Sequence, residues 1–425
     1  MSDHIENNRN GCLLQGSVST LKAINGVVPI IHSIAGCGIQ EKYIANTTGS
    51  RNENYSIPAT NVFEKHIIFG GASRLREQIK NTVKVREGDL YVVISGCASE
   101  IVGDDIGAMT KEAYEQGYPV INISTPGFKG NSFQAYKRVV TGMIEELSKF
   151  GGPDTDKDPE LVNVFGIVPN FDPCWEGNLE ELDTLLGKAG LRLNPLFGRK
   201  SGVEGWKKIK TAGVNIAFTK YGREIAEYLH KKYGTPFLFI ENLPVGIDGT
   251  AKLLDKLAAV YKDRKNVLEA IKRKENERYL YYLSKLAPYY YRHRIQKEAV
   301  IVGASPIAVS VGKFLEQRYG QIIKSVIITD ELAAEDRKQL EKTFTRGTKV
   351  YYTEDGKEIE EIIRQEPPEI ILGSQLEDNV AKELQIPVLY ISFPAERKII
   401  LNKSIIGVTG ILSFVEEYSN IAIET

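Results

Sequence analysis

Three cysteines in glycine-bearing surroundings, Cys12, Cys37 and Cys97, carry the strongest chemical signal in this chain. Gly11 precedes Cys12, Gly36 and Gly38 flank Cys37, and Gly96 separates Cys97 from the apolar run Leu90-Tyr91-Val92-Val93-Ile94. A lone cysteine in a large reduced protein is most often a small buried hydrophobe. Three that fall in turns, one of them at the end of a strand, suggest thiols that converge on a single metal cluster. Ligands of open parallel sheets gather at strand carboxyl ends. Small flanking residues let backbone amides approach a cluster's sulfides, and iron holds the thiols as thiolates. Zinc fits less well: there is no C-x-x-C pair, and only His32 stands near a cysteine in sequence.

Other candidates carry less. Val302-Gly303-Ala304-Ser305 after a strand is half of a dinucleotide fingerprint without its third glycine, and reads as a tight turn. Gly103-Asp104-Asp105 suits a helix N-terminus, where carboxylates complement the dipole. Cys174 has no spaced partner and reads as structural. The basic segment Lys262–Arg278 reads as a solvated face, and the five histidines form no Ser/His/Asp constellation.

The elements that must position the thiols follow an α/β rhythm. Residues 1–60 show little periodicity and many turn formers, with an Asn-rich stretch from Asn46 to Asn54. Short apolar runs then alternate with helical patterns: His66–Phe69 as a strand, Ser73–Thr82 as a helix, Leu90–Ile94, a helix Asp104–Gln116, Pro119–Ile123, and a helix Ser132–Lys149. Such continuous runs indicate parallel strands covered on both faces. Gly151–Pro159 reads as a linker. A second series runs from Val162–Val168 to Phe237–Ile240, and one long charged helical segment, Ala251–Arg294, bridges to a third series opening at Ala299–Gly303. The expected fold is three Rossmann-like domains with parallel sheets flanked by helices. Their bounds are 1–158 (cluster-binding), 159–297 (with the long bridging helix) and 298–425.

Bulk composition agrees with a large core: 425 residues, 42% hydrophobic and 26% charged. With 54 basic against 55 acidic residues, no global field favours nucleic acid or an anionic membrane. No apolar run is long enough to span a bilayer, and the polar start has no signal-peptide core. Four cysteines are too few for a disulfide framework, so the cytoplasm is the expected compartment.

These residues resemble those of the nitrogenase component 1 family. His32-Ser33-Ile34-Ala35-Gly36-Cys37 is similar to its H-G-x-x-G-C loop. Ser95-Gly96-Cys97-Ala98-Ser99-Glu100-Ile101-Val102-Gly103-Asp104-Asp105 resembles its T-T-C-x-x-E-x-I-G-D-D segment. Phe69-Gly70-Gly71, Thr125-Pro126-Gly127-Phe128-Lys129-Gly130, Leu243–Thr250 and Ile391–Arg397 with Gly407 and Gly410 resemble further family segments in order. The resemblance implies a bridging iron–sulfur cluster, either P-cluster-like 8Fe-7S or 4Fe-4S, with Cys12, Cys37 and Cys97 matching its thiolates. The family's serine near the cluster would fall at Asn131, or at Ser132 with a one-residue shift. The α-type subunit's cofactor anchors have no counterpart: Ala217–Tyr221 holds no cysteine, and no histidine follows His293.

The resemblance therefore implies a β-like subunit of a nitrogenase-like oxidoreductase. Its expected partners are a homologous α-like subunit, in an α2β2 heterotetramer, and an ATP-dependent iron–sulfur reductase docking near Cys97–Asp105. No nucleic acid and no membrane are expected. The alternatives are a scaffold subunit for assembly of a nitrogenase-type metal cofactor, and a metal-free small-molecule binding module.

Overall fold

A computed structural model describes residues 9–40, 57–149, 156–169, 171–344 and 347–424. The Asn-rich stretch and most of the expected linker lie outside them. Among the described residues there are three all-parallel sheets, each drawn from one contiguous part of the chain.

The first sheet contains β1 (Val27–His32), β2 (Leu90–Ser95) and β3 (Val120–Ser124) in that order. β2 is buried along its whole length. Its side chains alternate between two cores: Leu90, Val92 and Ile94 join one, Tyr91 and Val93 the other. This double burial is why the strand reads as continuously apolar, and each such side chain contributes about 1.5–3 kcal/mol on leaving water. Two elements differ from expectation in the first sixty residues. Leu13–Lys22 is a largely buried helix (α1) and Val27–His32 is a buried strand, not loop. Pro29 inside β1 and the turn formers around it mask the strand in the sequence.

The segment Glu64–Phe69 (α2) is helical where a strand is expected. A four-residue apolar run cannot distinguish the two states by period. Among the described residues no strand pairs with it, and Ile68 and Phe69 stay 73% and 85% exposed. Ala72–Val85 (α3) follows it. After β2, Cys97–Val102 is itself a short helix (α4), ended by Gly103 at φ +78°, and Ile106–Glu115 (α5) starts afresh. Ser132–Lys149 (α6) packs on α1 across one face of the sheet.

The second sheet is ordered β5-β4-β6-β7, from Asp158–Phe165 (β4), Arg192–Leu193 (β5), Ala212–Phe218 (β6) and Phe237–Ile240 (β7). Residues 205–211, expected to continue the strand–helix series, form the end of a short helix and a 3-10 turn. The bridging segment is two helices, Gly246–Val260 and Lys265–Arg292, joined by a 3-10 turn at Lys262–Arg264.

The third sheet runs β10-β9-β8-β11-β12, from Glu298–Gly303 (β8), Ile322–Ile328 (β9), Lys349–Tyr352 (β10), Ile370–Gly373 (β11) and Val388–Tyr390 (β12). This is a doubly wound order whose reversal lies between β8 and β11. The final helix, Gly407–Glu424, packs back on the helices after the second sheet, so one core unites the two sheets.

Asn178 locks that return. It is fully buried in the helix Trp175–Lys188, and its Oδ1 accepts from Ser404 Oγ (2.9 Å), Ile405 N (2.9 Å) and Ile406 N (3.3 Å). Replacing it strands buried amides without acceptors. Asn178→Ala is expected to cost about 2–4 kcal/mol, read as a lower urea midpoint at unchanged slope.

Candidate metal centre

The carboxyl ends of the three strands of the first sheet lie side by side because its register pairs His32 with Ser95 and Ser95 with Ser124. The loops leaving these ends carry Cys37, Cys97 and Gly127. Cys97 opens α4 directly behind Gly96, and Gly96 N donates to His32 O (2.9 Å). Ser99 Oγ reaches the same carbonyl (2.6 Å), so α4 is pinned to β1 at the place where it presents its thiol.

Cys12 arrives from a different direction. It caps the start of α1, where its N–H donates to Gln15 Oε1 (2.8 Å). It pairs antiparallel with Asn131, and Leu13 N donates to Gly130 O (3.0 Å). Gly127 then separates two thiols. A Cβ at Gly127 would lie 3.1 Å from Cys12 Cβ, 3.4 Å from Cys12 Sγ and 3.2 Å from Cys97 Sγ. A side chain there would crowd both thiols, and glycine leaves them room.

Cys37 joins them through Ser33. It lies in a helical stretch over 35–40, where the sequence suggests a turn. Ser33 Oγ donates to Cys37 Sγ (3.3 Å), and the same hydroxyl sits against Gly96, where a Cβ would meet it at 2.2 Å. One buried serine thus stands between Cys37 and the residue before Cys97. None of the three is in a disulfide and all are partly exposed, whereas Cys174 is buried; burial, and Asp172 beside it, push the Cys174 thiol up to about 12. Among the described residues no three His, Cys, Asp or Glu side chains gather closely enough for a single ion. A spread of thiols around an open glycine suits a polynuclear cluster, whose ligands need not touch one another.

The remaining candidates resolve as follows. Asn131 Oδ1 accepts from Phe133 N (3.2 Å) at the start of α6, which commits that side chain to its own helix. Of the two aspartates expected at a helix N-terminus, Asp105 does cap α5, accepting from Ala108 N (2.9 Å). Asp104 turns inward instead: it accepts from Gly71 N (2.6 Å) and bonds His32 Nε2 (3.0 Å). At the turn after β8, Asp330 accepts from Ser305 N (2.6 Å) and Ser305 Oγ (2.7 Å). A carboxylate therefore fills the helix N-terminus where a dinucleotide phosphate would sit.

Glu100 and Ser33 have roles that the spacing of cysteines did not reveal. Glu100 takes hydrogen bonds from Ser95 Oγ and from Ser124 Oγ (2.5 Å), joining the ends of β2 and β3, with Lys129 Nζ at 3.5 Å. Burial works against its charge, but the Ser124 and Ser95 hydroxyls and Lys129 together hold the carboxyl below its ordinary range. Ser33 gives no signal in the cysteine spacing, since its role comes from touching both Cys37 and the sequence-distant Gly96.

A family model described as nitrogenase component 1 type oxidoreductase matches residues 12–423. The chain belongs to this family. Among curated members, the nitrogenase molybdenum-iron protein beta chain of Methanothermobacter marburgensis is 24% identical, over 96% of this chain and 92% of its own length. The nitrogenase iron-molybdenum cofactor biosynthesis protein NifE of Clostridium pasteurianum is 26% identical, over 96% of this chain and 86% of its own. The solved structure of nitrogenase Cp1 at pH 6.5 superposes with a TM-score of 0.83 at 18% identity, covering all of this chain and 94% of that one. The three-sheet Rossmann-like fold is thus that of nitrogenase component 1. No helix among the described residues is long and apolar enough to cross a membrane.

In this family member the His32–Asp104 pair supports the loops that carry Cys37 and Cys97. His32 is fully buried, with Nδ1 on Thr60 Oγ1 (3.1 Å) and Nε2 on Asp104. Burial lowers its pKa and outweighs the opposing pull of Asp104. The unfolded chain, titrating near 6.5, then binds a proton that the native state refuses, so the contribution is present above 6.5 and is lost as pH falls. Stability should decrease between pH 7.5 and 5.5, and His32→Gln should flatten part of that slope, as measured by urea midpoints at each pH.

Proposed function

We propose that this chain is the β-like subunit of a nitrogenase-like oxidoreductase. In this reading Cys12, Cys37 and Cys97 supply its thiolates to an iron–sulfur cluster shared with a homologous α-like partner. The observation that carries the reading is the face on which the thiols lie. Ile34, Ile39, Phe63, Ile68, Phe69, Ile101 and Phe128, all on the cysteine-bearing loops or beside them, are exposed there. Soluble proteins rarely leave so many large apolar side chains together in water, and such a patch marks a surface that another protein covers. A partner seated on this face would also exclude water from the cluster, and a low dielectric tunes its potential.

The protein's own contribution is positioning. The Gly96–His32 and Ser99–His32 bonds fix Cys97, Ser33 orients Cys37 by a bond to its sulfur, and Gly127 keeps space for the cluster between Cys12 and Cys97. The cluster would supply one-electron transfer, filled by an ATP-dependent iron–sulfur reductase and emptied into a site in the partner. The missing cysteine at Ala217–Tyr221 and the absence of histidine after His293 favour a relay role for this subunit. We further propose cytoplasmic residence, an α2β2 assembly, and the division 1–158, 159–297 and 298–425.

A second reading has an observation of its own: the similarity to NifE, a cofactor biosynthesis protein, is as extensive as that to the beta chains. In that case the same thiols would hold a cluster in an assembly scaffold.

Anaerobic co-purification with the homologous partner is expected to yield a brown complex with bound iron and sulfide and an EPR signal on reduction. A Cys12/Cys37/Cys97 triple alanine chain should lose that iron while keeping its circular dichroism; iron unchanged in that variant would remove the cluster assignment. ATP-dependent reduction by the cognate reductase supports the relay, whereas bound iron that the reductase never reduces supports the scaffold. Gly127→Val, which fills the gap between two thiols, should lower bound iron severalfold with little change in urea midpoint.

A further inference from the structure

Cys12 differs from the other two cysteines in being tethered to two sheets at once. On its first-sheet side, Leu13 N donates to Gly130 O (3.0 Å) and Ser132 N to Gly11 O (2.8 Å). The residues just before it belong elsewhere. Arg9 pairs with Glu377, and Asn10 Nδ2 donates to Thr329 O (2.9 Å) and to Glu354. All three acceptors lie beyond carboxyl ends of the third sheet. The Arg9 and Glu377 side chains are 3% and 2% exposed, so water screens their attraction little. Glu377 is itself held, accepting from Ser374 N (2.7 Å) and Ser374 Oγ (2.9 Å) immediately after β11. By contrast, the contacts that fix Cys37 and Cys97, from Ser33, His32 and Ser99, come from the first sheet alone.

We propose that Glu377, acting through Arg9, is a positioning residue for the Cys12 thiol, so that the third sheet sets the placement of this one ligand. A displacement of the third sheet would then move Cys12 relative to Cys37 and Cys97, and a change at the cluster would be felt at Glu377. This inference rests on reading Cys12 as a cluster thiolate; its test does not. Removing one member of a buried pair leaves the other charged and uncompensated, which favours local opening of the segment it holds.

The test is pulsed iodoacetamide labelling of the full-length, cluster-free chain, with each cysteine followed by peptide mass spectrometry. In Glu377→Gln, Cys12 should be alkylated roughly tenfold faster, with Cys37 and Cys97 changed by less than about twofold and Cys174 still protected. The exchange Arg9→Glu with Glu377→Arg should return Cys12 towards its original rate. Asn10→Ala, a milder cut in the same tether, should raise Cys12 alone by a smaller factor and serves if Glu377→Gln does not fold. An equal rise at all three thiols, or no change at Cys12 in either variant, overturns the proposal. A selective rise at Cys12 in a chain whose complex binds no iron leaves the positioning intact and removes the cluster reading.

Discussion

Parallel register in the first sheet is the constraint on which the candidate centre depends. His32, Ser95 and Ser124 stand abreast, so the loops that follow them leave from one edge and must share one patch of surface. The register is held by apolar burial on both faces of β2, since a slip of one residue would exchange the two cores that its side chains enter. Polar groups then finish what burial begins. Glu100 ties β2 to β3 through Ser95 and Ser124, and Asp104 ties the loop after α4 to His32 and Gly71.

That edge combines two properties that a folded chain seldom combines alone. On its buried side His32, Ser33, Ser99 and Thr125 are all hidden from water and hydrogen-bonded. Its outer side is apolar and open, from Ile34 through Phe69 to Phe128. A hydrogen-bonded floor beneath an exposed apolar rim is what the proposed partner interface would need. The thiols lie where the two meet.

The second and third sheets serve this edge at a distance. Their shared core makes them one body, and the helix Gly407–Glu424 is stitched to the second sheet's helices by Asn178 at its entry. Where their strand ends could have bound an anion, Asp330 occupies the helix N-terminus. The third sheet's strand ends instead hold the chain just before Cys12, which gives the scaffold a direct mechanical link to the centre.

Much of this was legible in the sequence because it is local. Glycine beside cysteine, a fully apolar strand ending at Cys97, and the recurring strand–helix period are all local features, and they sufficed for the α/β class and the three sheets. The family came from the resemblance of whole segments such as Ser95–Asp105 to known ones. Misreadings fell where local pattern is degenerate or where the deciding partner is remote. Glu64–Phe69 is a helix with no strand beside it among the described residues, and Ala251–Arg294 broke into two helices that fold back on each other. Asp104 and Asp105 look alike in sequence, yet only the fold brings His32 to one of them. That Cys12 meets Cys97 across Gly127, that Ser33 links Cys37 to Gly96, and that Arg9 reaches Glu377 depend on sheet order and on pairings across the chain. Hydrophobic periodicity says which residues are buried; only closure of the chain says against whom.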